Sequence, residues 1–339
     1  MATVTLRDVA REAGVHPGTV SRALNPATEA LVNEDTVRRV RAAAARLGYR
    51  PNPMARGLKT NRSYTVGVLV PDIQNPLFPP IIRGIDDRLA AAGYTPLIAN
   101  TENDPERERQ DFEALRARQV DGFITATARL DHELLDAVVA FGAPLVLVNR
   151  RVEDGGLPAA VADDRDGARQ AVAHLVALGH RRIAHVAGPQ ELSTGRGRLE
   201  GFQAAMAEAG LEVDPALVRF AGAFTEPEGA RVCEELLASG ADFTALVAGN
   251  DLVALGCYDV LERRGLVCPR DLSVVGFNDM PFADRFHPPL TTVHIPHYEL
   301  GTAAADLLLE RLADPAAPPR TLEVETRLVV RGSTAPPGA

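Results

Sequence analysis

VTLRDVAREAGVHPGTVSRALN, residues 4–25, is the stretch on which the architecture turns. Thr5, with Asp8 three positions on, has the pattern of a reciprocal helix cap. Leu6, Val9, Ala10 and Ala13 then recur at helical spacing, and Gly14 stops the helix as a left-handed terminal residue does. Pro17 suits the first turn of a second helix, which buries Val20, Ala23 and Leu24 and ends at Asn25-Pro26. A third helix begins near Asn33, carries Glu34 and Asp35 at its positive end, and runs through Val37, Val40, Ala44 and Leu47 to Gly48. Two short helices joined by a Gly-Val-His turn and braced by a third read as a helix-turn-helix.

Outward from that head the pattern changes twice. Pro51-Asn52-Pro53 breaks the helical run, and Met54 to Leu58 is helical in pattern but too short to hold alone. From Tyr64 onward, near-continuous apolar runs alternate with amphipathic segments. The strand candidates are 65–71, 95–100, 122–127, 144–149, 183–188, 245–249 and 272–277. Runs apolar on both faces fit parallel strands covered by helices, and about 270 residues is long for one such sheet, so two α/β lobes with a cleft between them are expected. The expected division is a helix-turn-helix domain at 1–50, a hinge and linker at 51–62, and an α/β core at 63–333, with 334–339 as a frayed tail. Within the core, lobe one takes about 63–162 and 294–323, and lobe two about 163–293 and 324–333.

Charge divides the same way. The whole chain carries −9, yet residues 1–62 carry +6 and the remainder −15. A basic head on an acidic body suits a polyanion partner. Every basic side chain but Lys59 is arginine, which brings forked donors suited to phosphate and guanine. No apolar h-region opens the chain and no run reaches membrane-spanning length, so a cytoplasmic protein without a membrane partner is expected. Cys233, Cys257 and Cys268 are odd in number and lack CxxC spacing, as in a reducing compartment.

Residues 4–25 resemble the head of lactose-repressor/galactose-repressor transcriptional regulators. The resemblance continues through TVRRVRAAAARLGYRPNPMARGLKT (36–60) and resumes at VGVLVPDIQNPLF, ALGHRRIAHVAGP, AGNDLVALG and LSVVGFNDMPFA. It covers nearly the whole chain. It implies a dimer, a hinge helix, a core resembling periplasmic sugar-binding proteins, and an effector-controlled regulator, most often a repressor, on a pseudo-palindromic double-stranded DNA operator.

Chemistry can be assigned on that frame. The second helix would enter the major groove, with Arg22 placed for a bidentate contact to guanine. Thr19, Ser21 and Asn25 suit phosphate oxygens, and Thr5, Leu6, Asn33 and Tyr49 are further candidates at the backbone. His16-Pro17-Gly18 departs from relatives that carry longer side chains there, leaving His16 and Arg22 as main readers, although His16 is equally read as a helix cap. The hinge implies Asn52, Ala55, Leu58 and Lys59 at the minor groove, with Leu58 as a wedge between base pairs. Gly57 makes that hinge helix weak.

A cleft at the carboxyl ends of the strands is a ligand site by geometry. The resemblance and the strand ends together select Asp72, Asn75, Phe78, Asn149, Arg150, Thr194, Arg198, Phe224, Asn250, Asp251 and Asn278. Amides, arginines and two aromatic faces suit a sugar or derivative, with a purine-type corepressor as the alternative. Asn149 and Asn278 stand where many sugar-sensing relatives have Asp, and Arg150 and Arg198 also suit an acidic or phosphorylated sugar. Arg198 is alternatively a salt link bridging the lobes.

No GxSxG, HExxH or P-loop is present, so no enzyme is expected. His174, His180 and His185 have no zinc spacing, and Asp163, Asp164 and Asp166 lack the rest of a calcium loop, so neither a metal nor a cofactor is expected. A transport-type solute-binding protein with the same core is the rival reading, and the basic head counts against it. RGSTAPPGA at the end holds no leucine heptad, so a dimer rather than a tetramer is expected.

Overall fold

In the computed structural model, residues 4–25, 28–49, 62–153 and 156–338 are described. The hinge candidates Asn52, Ala55, Leu58 and Lys59 lie outside them. The chain divides into two units, residues 1–64 and 65–339.

The first unit is all-α. Helix α1 spans Leu6–Ala13, α2 Pro17–Ala23 and α3 Glu34–Leu47. Thr5 caps α1 through the reciprocal pair with Asp8, Thr5 N donating to Asp8 Oδ2 at 3.0 Å and Asp8 N to Thr5 Oγ1 at 3.4 Å. The Thr5 hydroxyl, donating to Asp8 Oδ2 at 2.7 Å, and the Thr5 backbone N–H together hold the Asp8 carboxyl below its usual pKa. Gly14 (φ 62°) and Gly48 (φ 66°) end α1 and α3 in the left-handed region. Val9, Val20, Ala23, Val37 and Val40, one stripe from each helix, close a small core on which Leu6, Leu24 and Tyr49 pack.

In chain order the second unit runs β1 Thr65–Val70, α4 Phe78–Ala91, β2 Thr95–Asn100, α5 Pro105–Ala117, β3 Gly122–Thr125, α6 Glu133–Ala140, β4 Leu145–Val148, β5 Ala159–Ala162 and α7 Asp164–Ala177. It continues through β6 Ile183–Ala187, α8 Ser193–Glu208, β7 Val218–Phe220, α9 Glu226–Ala238, β8 Ala245–Ala248, α10 Asp251–Arg263 and β9 Ser273–Asn278. It closes with β10 Thr291–His294, α11 His297–Ala313, β11 Thr321–Val324 and β12 Arg327–Val329. Two six-stranded sheets result, in the orders β11-β5-β4-β3-β1-β2 and β12-β10-β9-β8-β6-β7. All pairings are parallel except β10 with β12, which is antiparallel at an edge.

Each sheet is the centre of one lobe, and the chain crosses between lobes after β5, after β10 and between β11 and β12. Alternating β and α segments bury both faces of each sheet, so the central strands are apolar throughout. Lobe one is knit by α4 against α11, whose backbones meet at Gly84 and Gly301. A Cβ at Gly84 would stand 2.1 Å from Tyr298 O, and one at Gly301 2.1 Å from Ile81 O.

The expected tail at 334–339 is corrected. Ser333 is fully buried, accepting from Thr291 N at 2.8 Å and donating to Val274 O at 2.6 Å. Beyond it, Ala335 exchanges bonds with Ser273 at 3.0 and 3.1 Å, and its carbonyl meets His180 Nε2 at 2.9 Å. Thr334 pairs with His174 Nε2 at 2.9 Å. Backbone groups laid along the sheet outweigh a composition that reads as loop.

Candidate functional site

In the head, the sequence places a proline and a glycine at the start of α2, and the structure shows what this permits. His16 is the cap: its Nδ1 accepts from Gly18 N at 3.1 Å. A Cβ at residue 18 would lie 3.2 Å from that nitrogen, so the bare glycine leaves room for the imidazole. With Nδ1 accepting, the other ring nitrogen carries the hydrogen in the neutral form and points a donor outward. Of the two readings of His16, the cap is therefore realised, and one ring edge remains available.

The arginines of the head fall into two sets. Arg11, Arg38, Arg41 and Arg46 meet Asp8, Asp35, Glu29 and Glu12 at 2.5–3.6 Å, and Arg39 donates to Ala13 O at 3.2 Å. Arg22, exposed on α2, and Arg7, exposed on α1, have no acceptor among the described residues. Arg7 was missed by sequence reasoning: only Arg11 and Arg38 meet an acid at helical spacing, while Arg39, Arg41 and Arg46 are taken up by tertiary contacts that the sequence does not display. Thr19 and Ser21 are half-exposed on α2. Leu6 and Tyr49 pack on the head core, and burial raises the Tyr49 pKa. Asn33 Oδ1 is taken up as the cap of α3, accepting from Asp35 N at 2.9 Å.

In the second unit, the strand ends of the two lobes face a cleft with an outer chamber of about 280 Å³. Asp72, Asn75, Phe78, Arg150 and Phe224 line it. A smaller inner end, about 30 Å³, is bounded by Asn75, Phe78, Asn149, Arg150, Thr194, Arg198, Phe224, Asn250 and Asn278. Ten of the eleven residues selected from the sequence thus meet at one cleft.

Two of them are held in unusual backbone conformations. Asn149 (φ 66°) and Asn278 (φ 112°) sit where β4 and β9 end, and asparagine tolerates such turns better than most residues. Asn250 caps α10, accepting from Val253 N at 2.8 Å and donating to Phe224 O at 3.5 Å. The Phe224 ring lies against the backbone of Gly188, where a Cβ would come within 2.2 Å of it.

Arg198 is the hub of the inner end. Nε donates to Asp164 at 2.8 Å, one terminal nitrogen to Gly249 O at 2.7 Å and the other to Asn278 Oδ1 at 3.1 Å. Its guanidinium lies 3.8 Å from the Phe277 ring centroid and 5.5 Å from that of Phe224. All these partners belong to lobe two, so the arginine ties the start of α7 to the ends of β8 and β9 and does not bridge the lobes. Burial raises the Asp164 pKa despite the attraction of Arg198.

Asp251 does not line the cleft and is corrected. It is fully buried at the start of α10, accepting from Thr292 Oγ1 at 2.5 Å and from Met280 N at 2.7 Å. Burial pushes its pKa up to about 7. A carboxylate at a helix start read as a ligand group is here a clamp across the ends of β9 and β10.

The outer chamber also contains residues the sequence reading passed over: Thr101, Glu108, Thr127, Arg129 and Glu191. Glu108 accepts from the Thr127 hydroxyl and lies 3.3 Å from His132 Nε2. Its signal was present: Glu108, Phe112 and Leu115 are the buried residues of α5, so an acid sits on the apolar stripe of an otherwise charged helix. Across the cleft, Leu130 N donates to Glu191 O at 2.8 Å, Arg151 N to Ser193 Oγ at 3.0 Å, and Arg196 to Glu153 at 2.7 Å. Among the described residues no group of three potential metal ligands gathers.

Residues 5–52 match the bacterial regulatory proteins of the lacI family, and residues 172–334 match the periplasmic binding protein-like domain. The HTH-type transcriptional regulator RegA of Clostridium saccharobutylicum is 36% identical, over 98% of this chain and 100% of its own length. The lac repressor dimer bound to operator and the anti-inducer ONPF superposes with a TM-score of 0.86 at 30% identity, covering 98% of this chain and 100% of that one. The complex of the transcriptional regulator CelR with cellobiose gives 0.74 at 33% identity, covering 97% and 99%. With a capped helix-turn-helix, a two-lobed cleft core and relatives alike from end to end, the chain belongs to the lacI family of bacterial regulatory proteins.

Proposed function

We propose that this regulator is a cytoplasmic repressor that grips a pseudo-palindromic operator as a homodimer and is controlled by a sugar or sugar derivative in the cleft between its lobes. The observation that carries this is Arg22. It stands exposed on a helix whose start is capped by His16, and nothing among the described residues occupies its guanidinium. An unpaired fork on a groove-sized helix is the donor set for guanine O6 and N7. Thr19, Ser21 and Asn25 would hold phosphates, and the unpaired Arg7 joins Thr5 and Leu6 as a backbone contact. The hinge residues Asn52, Ala55, Leu58 and Lys59 would enter the minor groove. The operator-bound lac repressor dimer and the cellobiose complex of CelR lend support by likeness. Like those relatives, the chain is a regulator and not an enzyme.

Control follows from linkage. The three cross-cleft contacts at Glu191, Ser193 and Glu153 hold one arrangement of the lobes. A ligand spanning the cleft shifts the balance between that arrangement and others, and DNA affinity moves with it, typically by about 1–3 kcal/mol, equally in both directions of the coupling.

The test is salt-dependent binding to a pseudo-palindromic duplex with a central CpG step, with and without a panel of sugars, sugar phosphates and purines. Tight binding that falls steeply with salt and weakens in Arg22→Ala supports the proposal. Binding no better than to random DNA under every ligand sinks it, and leaves a ligand-binding protein of transport type.

A further inference from the structure

Arg150 follows Asn149 at the end of β4 and borders both the outer chamber and the inner end of the cleft. It is 8% exposed, and its Nε has no hydrogen-bond partner. Neither of its terminal nitrogens meets an acceptor among the described residues. Arg198 in the same cleft is the contrast, with all three of its donor nitrogens taken by Asp164, Gly249 and Asn278. One guanidinium is built into the fold and the other is left open towards the chamber.

The surroundings sharpen the contrast. Burial lowers the Arg150 pKa to about 10, the charge of Arg129 in the same chamber adds to the shift, and the attraction of Glu108 and Glu191 only partly offsets it, so the side chain stays charged at neutral pH. The acids facing the chamber are Asp72, Glu108 and Glu191. Glu108 is engaged by Thr127 and His132, Asp72 accepts from Gln74 N at 2.9 Å, and Glu191 is exposed to solvent. None of them bonds to Arg150. A buried cation without an acceptor is unfavourable in the empty protein, and an anionic acceptor relieves it better than a hydroxyl, because it neutralises the charge and can accept from two N–H groups of the planar fork at once.

We propose that Arg150, with Arg129 beside it, is an anion subsite on the lobe-one wall, and that the effector is therefore a sugar derivative bearing a carboxylate or phosphate group. The amides of Asn75 and Asn149 then meet its hydroxyls and Phe78 and Phe224 its apolar faces. This rests on the reading of the cleft as the effector site.

The experiment uses the full chain, as wild type, Arg150→Gln and Arg150→Met, with D-glucose, D-glucose 6-phosphate, D-gluconate, D-ribose, D-ribose 5-phosphate and inorganic phosphate as probes. Thermal shift and calorimetry read binding, and operator affinity is read in parallel. We expect at least one acidic probe to bind roughly tenfold or more tightly than its neutral counterpart, and both variants to erase that difference. Which acidic sugar prevails distinguishes a carboxylate from a phosphate. Without any probe, the two variants should melt no lower than wild type, since no internal bond is lost. Neutral sugars binding as well as acidic ones, no acidic probe binding at all, or a fall of several degrees in the unliganded variants would each overturn the proposal. If a neutral sugar alone alters operator affinity, the anion subsite falls while the sensor reading stands. If an acidic probe binds through Arg150 without altering operator affinity, the subsite stands and effector control by it falls.

Discussion

Arg22 and Arg198 are the same residue type put to opposite uses, and the difference lies in what surrounds each. Arg22 has no protein partner to lose, so Arg22→Ala should leave the melting temperature and circular dichroism of the protein unchanged while weakening operator binding by about 1–3 kcal/mol. A thermal destabilisation accompanying the loss would mean that the side chain is structural. Arg198 has three bonds inside lobe two. Arg198→Ala strands the buried Asp164 carboxylate and should cost about 3–5 kcal/mol in denaturant unfolding, with Asp164→Asn recovering part of it, because the penalty is the uncompensated charge. If the double variant is no better than the single, the cost lies in packing against Phe277 instead. His16→Ala removes the α2 cap and should cost about 1 kcal/mol of head stability, whatever it does to DNA. Amide exchange confined to the head would read it.

The elements legible in the sequence were those with a strong period or a long apolar run. Every strand candidate from 65–71 to 272–277 contains a strand; six of the seven lie inside a sheet and are buried, and β2, a half-exposed edge, was carried by its apolar run alone. The strands not foreseen were β5, β7, β10, β11 and β12, of three or four residues each; of these β7, β11 and β12 are half-exposed edges. A strand of three or four residues is too short for an alternation or an apolar run to stand out, and its pairing is decided by the neighbour it meets. The cleft residues were legible because strand ends in a parallel sheet converge and the family resemblance marked positions there. Asp251 was misread because a helix-opening carboxylate looks the same whether it faces a ligand or the ends of β9 and β10, and Glu108 was missed because its helix is otherwise charged. The C-terminal segment failed for a related reason: its backbone bonds are invisible in its side chains. Truncation after Ser333 removes the bonds of Thr334 and Ala335 to His174, His180 and Ser273. At about 1 kcal/mol per bond it should destabilise lobe two by roughly 2–4 kcal/mol. An unchanged denaturation midpoint would show that the segment only rests on the sheet.

At the scale of the whole molecule, buried titratable groups set how stability answers to pH, and they pull in opposite directions. His185, stacked on Phe202 at 4.7 Å, and His297, whose Nε2 has no partner, are both lowered to about 4 by burial. Their contribution is present above pH 6.5 and is lost as pH falls through about 4, since the unfolded chain takes up protons that the folded one refuses. Asp251 works the other way. Raised to about 7 from an ordinary value near 4, it holds a proton in the folded state that the unfolded chain releases. Its contribution is present below about pH 4 and is lost as pH rises through about 7. Between those limits the aspartate cancels part of the gain from the two histidines. Asp251→Asn supplies a neutral group that can still accept from Met280 N and donate to Thr292 Oγ1, so it preserves the clamp and deletes the titration. The difference in unfolding free energy between variant and wild type should therefore grow in the variant's favour from pH 4 to pH 7, by at most about 1.4 kcal/mol per pH unit, and flatten above. Urea titrations at four pH values measure it. A difference constant with pH would mean that Asp251 is ionised in the folded protein across the range, with Thr292 and Met280 as sufficient partners for its charge.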